Sequence, residues 1–276
     1  MSRMMVQAAV TMNQLQKQLD SVGHNIANSD TAGYKSRETE FSSLLFQQIN
    51  NLTHEENATG RLTPDGLRVG AGARVSSTNN NLSAGAMKTT DRALDVALTN
   101  KSHMFQVQVD RGAGAETLYT RDGSFYLQRT PDENTLVLAT SDGHPVLGQN
   151  GPITITGDID DITIQDNGAV YVRRGEASEM VGQLNVVEVI RPHVLTGEGN
   201  NFFRISDEDA LGYNLNEIVQ QVNPDEQILK SGVLEQSNVD LSKEMTDMIT
   251  AQRSYQFNAR TITMGEQMLG LINQLR

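Results

Sequence analysis

Apolar residues recur at strict seven-residue intervals at both ends of the chain, and this spacing constrains the fold more than any other feature. Near the start the repeat is Met5, Met12, Leu19 and Ile26, with Ala8, Leu15 and Val22 filling the alternate three and four spacing. This is the signature of an amphipathic helix with one narrow seam that pairs in a coiled-coil-like way. Near the end Leu241, Met248, Tyr255, Ile262 and Leu269 repeat the interval, with a mixed second seam of Met245, Gln252, Ala259 and Glu266. Such stripes are too narrow to hold a lone helix in water, so each needs a neighbour. The spacing leaves open whether that neighbour is the protein's own core or another chain. Asn28-Ser29-Asp30-Thr31-Ala32-Gly33 supplies residues that end the first helix and turn the chain. Ser237-Asn238-Val239-Asp240 reads as a capping-box-like start for the last helix.

Between the helices the period changes to two. His103 to Val109, Ile162 to Ile164 and Ala169 to Val172 read as strands. Asp65-Gly66, Asp122-Gly123, Asp142-Gly143, Asn150-Gly151 and Asn167-Gly168 are dipeptides of tight hairpin turns with positive φ. The polar stretches Gln47 to Gly60 and Leu195 to Asn200 are expected to be flexible connections. The expected fold class is α+β: long N- and C-terminal helices that pair in a coiled-coil-like bundle, with a central, mostly antiparallel β domain.

The 276 residues are 37% hydrophobic and 20% charged, enough for a sizeable folded middle. A net charge of -12 gives no basic stripe to neutralise phosphates, so nucleic acid is excluded as an expected partner. The first residues, Met1-Ser2-Arg3-Met4-Met5-Val6-Gln7, lack a continuous apolar core, so no cleavable signal peptide is expected, nor any membrane span. Without cysteine there is no thiol chemistry and no disulfide framework.

The chemistry of catalysis has no candidate. His24, His54, His103, His144 and His193 are scattered without metal-ligand spacing. Asp158, Asp160, Asp161 and Asp166 lack the glycine and closing glutamate of a calcium loop and read as solvated hairpin ends. Gly70-Ala71-Gly72-Ala73-Arg74-Val75 has valine where a dinucleotide fingerprint needs its third glycine. No cofactor, metal site or catalytic residue is expected.

The stretch Asn25-Ile26-Ala27-Asn28-Ser29-Asp30-Thr31-Ala32-Gly33-Tyr34-Lys35 closely resembles the signature that ends the N-terminal helix in the flagellar rod and hook family. Asn238, Val239, Gln252, Arg253, Tyr255 and Asn258, within Ser237-Asn238-Val239-Asp240 and Met248 to Asn258, resemble the family's C-terminal helix. Leu94 to Leu98, Tyr119 to Phe125 and Asp142 to Gly148 resemble its β domain, although Thr99 to Phe105 replaces the glycine-rich stretch usual there. The resemblance implies a structural, non-enzymatic rod subunit, most like the distal rod members of Gram-positive hook-basal bodies, with the proximal rod or hook as the alternative. It implies four regions: 1–35, the N-terminal helix of an axial core; 36–90, an extended linker; 91–232, the β domain; and 233–276, the C-terminal helix of the core. Asn25, Ala27, Asn28, Thr31, Gly33, Tyr34 and Lys35 would then serve assembly, as would Asn238, Val239, Gln252, Arg253, Tyr255 and Asn258. The seam would be Met5, Met12, Leu15, Leu19, Ile26, Leu241, Met248, Ile262 and Leu269. The implied partners are copies of the chain, other rod and hook proteins, and the flagellar type III export apparatus, placing the subunit in the basal body outside the cytoplasmic membrane. A secreted adhesin or binding protein using the same route is the other reading.

Overall fold

The N-terminal helix runs over Ser2–Ala27 and the C-terminal helix over Leu241–Gln274. The computed structural model describes residues 2–43, 47–49, 67–69, 73–110, 112, 114–130, 135–205, 212, 214–223 and 227–275. The chain divides into two units: Met1–Ile26, Arg37–Asn79 and Leu241–Arg276 form the first, and Ala27–Ser36 and Asn80–Asp240 the second.

In the first unit the two helices run antiparallel. Asn25 Nδ2 donates to Glu244 Oε1 at 2.9 Å. At the other end of the pair Met5 lies against Gly265, where a Cβ would come within 3.0 Å of the Met5 Cγ. Ala8, Val22 and Asn25 are buried on the first helix, flanked by half-buried Met5, Met12, Leu15, Leu19 and Ile26. On the second helix the inward stripe is Glu244, Met248, Ala251, Tyr255, Asn258, Ile262 and Gly265, a four-three repeat with Ala251 and Gly265 fully buried. The expected second seam is therefore displaced by one residue. Gln252 and Glu266 face solvent, and Gly265 lies against the Met5 side chain instead. Leu241 and Leu269 are exposed because the contacts at Asn25 and Met5 bound the stretch that the shorter helix covers.

The strands Arg37–Ser43 and Ala73–Asn80 form a two-stranded sheet. The N-terminal helix is tied to this sheet: Val75 N donates to Gln14 Oε1 at 2.9 Å, and Ser21 Oγ to the Arg37 carbonyl at 3.4 Å.

The second unit is built on a six-stranded sheet in the order Leu195–Gly199, Phe202–Ile205, Ala115–Thr120, His103–Asp110, Val186–Val189, Val219–Gln221. Its neighbouring strands are antiparallel. Alternation sends Phe105, Val107 and Val109 to one face, against Phe125, Leu138, Val146 and Ile155. Met104, Tyr119, Val187 and Phe203 go to the other, with Ile218 of the short helical turn Leu215–Ile218. Two further ribbons bring the end of the unit back to its beginning. Leu229–Ser231 pairs with Val96–Leu98, and Val233–Glu235 with Met87–Thr89.

Leu195 to Gly199 is an edge strand with an irregularity at Gly197/Gly199, not a loose connection; Asn200 and Asn201 make the turn with positive φ. Gly143, Gly151 and Gly168 have the positive φ their dipeptides predict, but Gly123 does not. A Cβ at Gly123 would stand 1.8 Å from the Val96 carbonyl oxygen, so close approach of backbones demands that glycine. Asp65-Gly66, Gly70 to Gly72, His54 and most of Gln47 to Gly60 lie outside the described residues.

Candidate assembly site at the motif junction

The first helix ends at Ala27, which is exposed, and Asn28 to Thr31 form a turn. Thr31 N donates to the Asn28 carbonyl at 3.2 Å, and Thr31 Oγ1 to Asn28 Oδ1 at 3.3 Å. Gly33 sits at φ 68°, and its N–H donates to the Glu235 carbonyl at 2.8 Å. A Cβ there would be 2.6 Å from the Asp122 nitrogen, so backbone meets backbone with no side chain between. Tyr34, Lys35 and Ser36 follow as buried residues.

Lys35 enters a buried ionic cluster. Its Nζ donates to Glu235 Oε1 at 2.7 Å and to the Ser83 carbonyl at 2.7 Å. Glu235 Oε1 also accepts from Gly85 N at 2.8 Å, while Oε2 accepts from Arg121 Nε at 2.9 Å and Nη2 at 2.7 Å. Arg121 Nη1 points at the carbonyls of Asn100, Lys101 and His103 at 2.9, 2.7 and 2.9 Å. The side chains of Lys35 and Arg121 are 0% exposed and that of Glu235 1%. Burial by itself would push the Glu235 carboxyl up, but Arg121 and Lys35 outweigh it and hold the group below its ordinary 4.5. Asp122 behaves oppositely: burial raises it, and Ser124, which donates through N at 3.0 Å and Oγ at 2.7 Å, does not offset this.

Asn238 completes the junction. Its Oδ1 accepts from Ser36 N at 2.8 Å, and its Nδ2 donates to the Asn81 carbonyl at 2.8 Å. Val239 is half-buried; its N–H donates to Ser237 Oγ at 3.3 Å, a local turn, and the helix opens only at Leu241. The serine is thus a turn residue, four positions ahead of Leu241, where the helix begins.

Within the first unit Asn25 plays a similar bridging role. It accepts from Arg37 N at 2.9 Å through Oδ1 and donates to the Arg37 carbonyl at 3.0 Å through Nδ2. Tyr255 and Asn258 are half-buried on the inward stripe, while Gln252 and Arg253 are exposed. Sequence reasoning missed Arg121 and Glu235. The available signal was Glu235 at an inward strand position two residues from buried Val233.

The groups that meet here are donors, acceptors and closed ion pairs, and none is arranged as nucleophile and base. Comparison with known proteins agrees with a structural role. The description "Flagella basal body rod protein" matches residues 7–35, "Flagellar hook protein FlgE/F/G D1 domain" residues 100–172, and "Flagellar basal body rod FlgEFG protein C-terminal" residues 230–275. The chain is 43% identical over 280 residues to the flagellar hook-basal body complex protein FlhP of Bacillus subtilis (strain 168), covering 100% of both. It is 34% identical to the flagellar basal-body rod protein FlgG of Agrobacterium fabrum (strain C58 / ATCC 33970), covering 97% of each, and 33% identical to FlgG of Bacillus subtilis (strain 168), covering 94% of the chain and 93% of the relative. The chain therefore belongs to the flagellar basal-body rod and hook protein family.

Proposed function

We propose that this chain is a structural subunit of the bacterial flagellar basal-body rod, placed in its distal part, whose terminal helices form a coiled-coil-like bundle completed by helices of neighbouring subunits and transmit torque. Family membership makes it a structural, non-enzymatic rod component. The finer reading rests on one observation. Besides its inward stripe, the C-terminal helix carries a second four-three repeat, Phe257, Thr261, Met264, Met268, Leu271 and Leu275. Phe257 is 72% exposed and Leu275 89%. An exposed seam that is apolar except at half-buried Thr261, and that runs one residue past the helix end to Leu275, favours another helix as its cover.

The motif residues support a division of labour. Gly33, Lys35 and Asn238 spend their bonding groups inside the second unit, and Asn25 inside the first, so these residues set the junction and leave neighbour contacts to the exposed seam. The proposed regions remain 1–35 and 233–276 as the axial core, 36–90 as linker and 91–232 as β domain. Partners are copies of the chain and other rod and hook proteins. Export through the flagellar type III apparatus, without a cleaved signal, would carry the subunit to the basal body outside the cytoplasmic membrane. No helix among the described residues is long and apolar enough to cross a membrane. Near-complete coverage by relatives named as basal-body rod proteins favours the rod over the hook.

The test is incorporation. Met264→Asp and Leu271→Asp subunits are expected to keep a folded β domain yet be missing from purified hook-basal bodies, measured by quantitative mass spectrometry against wild type. Normal stoichiometry of both variants would overturn the inter-subunit seam.

A further inference from the structure

We propose that Lys35, Arg121 and Glu235 form a closing latch, by which the second unit stays open until the segment 229–240 seats Glu235 between the two buried cations. The latch is independent of the rod reading and needs only the geometry of the cluster. Lys35 and Arg121 are fully buried cations that converge on one carboxylate. The carbonyls of Ser83, Asn100, Lys101 and His103 accept from these cations, but the one negative charge bonded to both is Glu235, and carbonyls alone do not offset the mutual repulsion and lost hydration of two buried like charges.

The partners are far apart in sequence, 200 residues for Lys35 and 114 for Arg121. A chain made from its N-terminus therefore presents both cations long before the anion. The same segment also completes both short ribbons, covering buried Val96 and Leu98 through Leu229–Ser231 and pairing Met87–Thr89 through Val233–Glu235. Its backbone also bonds to residues in three other stretches of the unit. The Glu235 carbonyl accepts from Gly33 N at 2.8 Å, Gln236 N donates to Ala86 at 2.8 Å, and Gly232 N donates to Asp95 at 2.8 Å. Until that segment arrives, Lys35 and Arg121 gain more from water than from the site, and the edge they line remains open. The second unit therefore stays incomplete until nearly all of its chain has been made.

Hydrogen exchange on the full-length chain tests this. In Glu235→Gln the two cations stay buried without a counter-charge, and the amides of His103–Asp110 and Ala115–Thr120 should exchange about a hundredfold faster than in wild type. Lys35→Met in the same background removes one stranded cation and should recover part of that protection, a rescue that lost packing alone would not give. If Glu235→Gln does not fold, recovery of a folded chain in the double variant supports the latch, and its failure overturns it. Acceleration confined to residues 229–240, or a double variant worse than Glu235→Gln, also overturns it. In pulse-labelled refolding, protection of His103–Asp110 should appear together with that of Leu229–Ser231; earlier protection of the former would sink the idea.

Discussion

Gly33 is fixed by two separate demands, a left-handed φ of 68° and a backbone 2.6 Å from where its Cβ would stand. Gly33→Ala should therefore cost about 3 kcal/mol or more, read as a lowered denaturation midpoint of the full chain. Gly23→Ala is the contrasting case: it lies inside the first helix with nothing within 4 Å of its Cβ, and should gain about 0.5–1 kcal/mol. The ionic residues add a pH signature. Glu235 is held below its ordinary 4.5, so the stability it contributes is complete above that pH and is lost as pH falls further, through its folded-state value. Wild type and Glu235→Gln should converge in stability on acidification. Asp122 has the opposite sign, because its raised value makes the ionised form a burden at neutral pH, so Asp122→Asn should leave the chain as stable or slightly more stable there. Of these residues the sequence singled out Gly33, by its turn chemistry and by a resemblance, and Lys35, by the resemblance. Glu235 and Arg121 escaped because a buried charge is recognisable only beside its partner, and here the partners lie 114 and 200 residues away.

The two long helices were readable from seven-residue spacing because few folds other than a long helix sustain that period through so many turns. The register of the C-terminal seam was less readable. Steps of three and four both fit a heptad, and the residues that face inwards, Ala251 and Gly265, carry little apolar signal, whereas Met245 beside them does. Ala251 and Gly265 are nevertheless the buried residues of this helix. Ala251→Asp would place a carboxylate in the helix pair and should cost about 3 kcal/mol, while Gln252→Asp, on the exposed side, should stay within about 0.5 kcal/mol. Helical ellipticity on heating separates the two, and equal effects would mean that the buried stripe lies elsewhere. The strand Leu195–Gly199 was hidden for a related reason. Its threonine, glycines and glutamate suit an edge strand with an irregularity as well as a loop, and only pairing with Phe202–Ile205 distinguishes them.

At the scale of the whole molecule the two units bury their apolar residues very unevenly. The second unit encloses Phe105, Val107, Leu118, Phe125, Leu138, Val146, Ile155 and Ile218 almost completely, on both faces of one sheet. The first unit buries two small residues on its longer helix and leaves Phe257, Met264, Met268, Leu271 and Leu275 in water. Helices held by so narrow a seam gain little from tertiary burial, and local opening follows the local density of buried contacts. In the free subunit, amides of 257–275 should therefore exchange within seconds to minutes, while those of His103–Asp110 stay protected for far longer. On incorporation into a rod the exposed seam would be covered and the difference should shrink. The measurement is hydrogen exchange on the isolated chain and on purified hook-basal bodies, peptide by peptide. Strong protection of 257–275 in the isolated chain would mean that the helix is complete without neighbours, and that its outer apolar repeat does not serve packing between subunits.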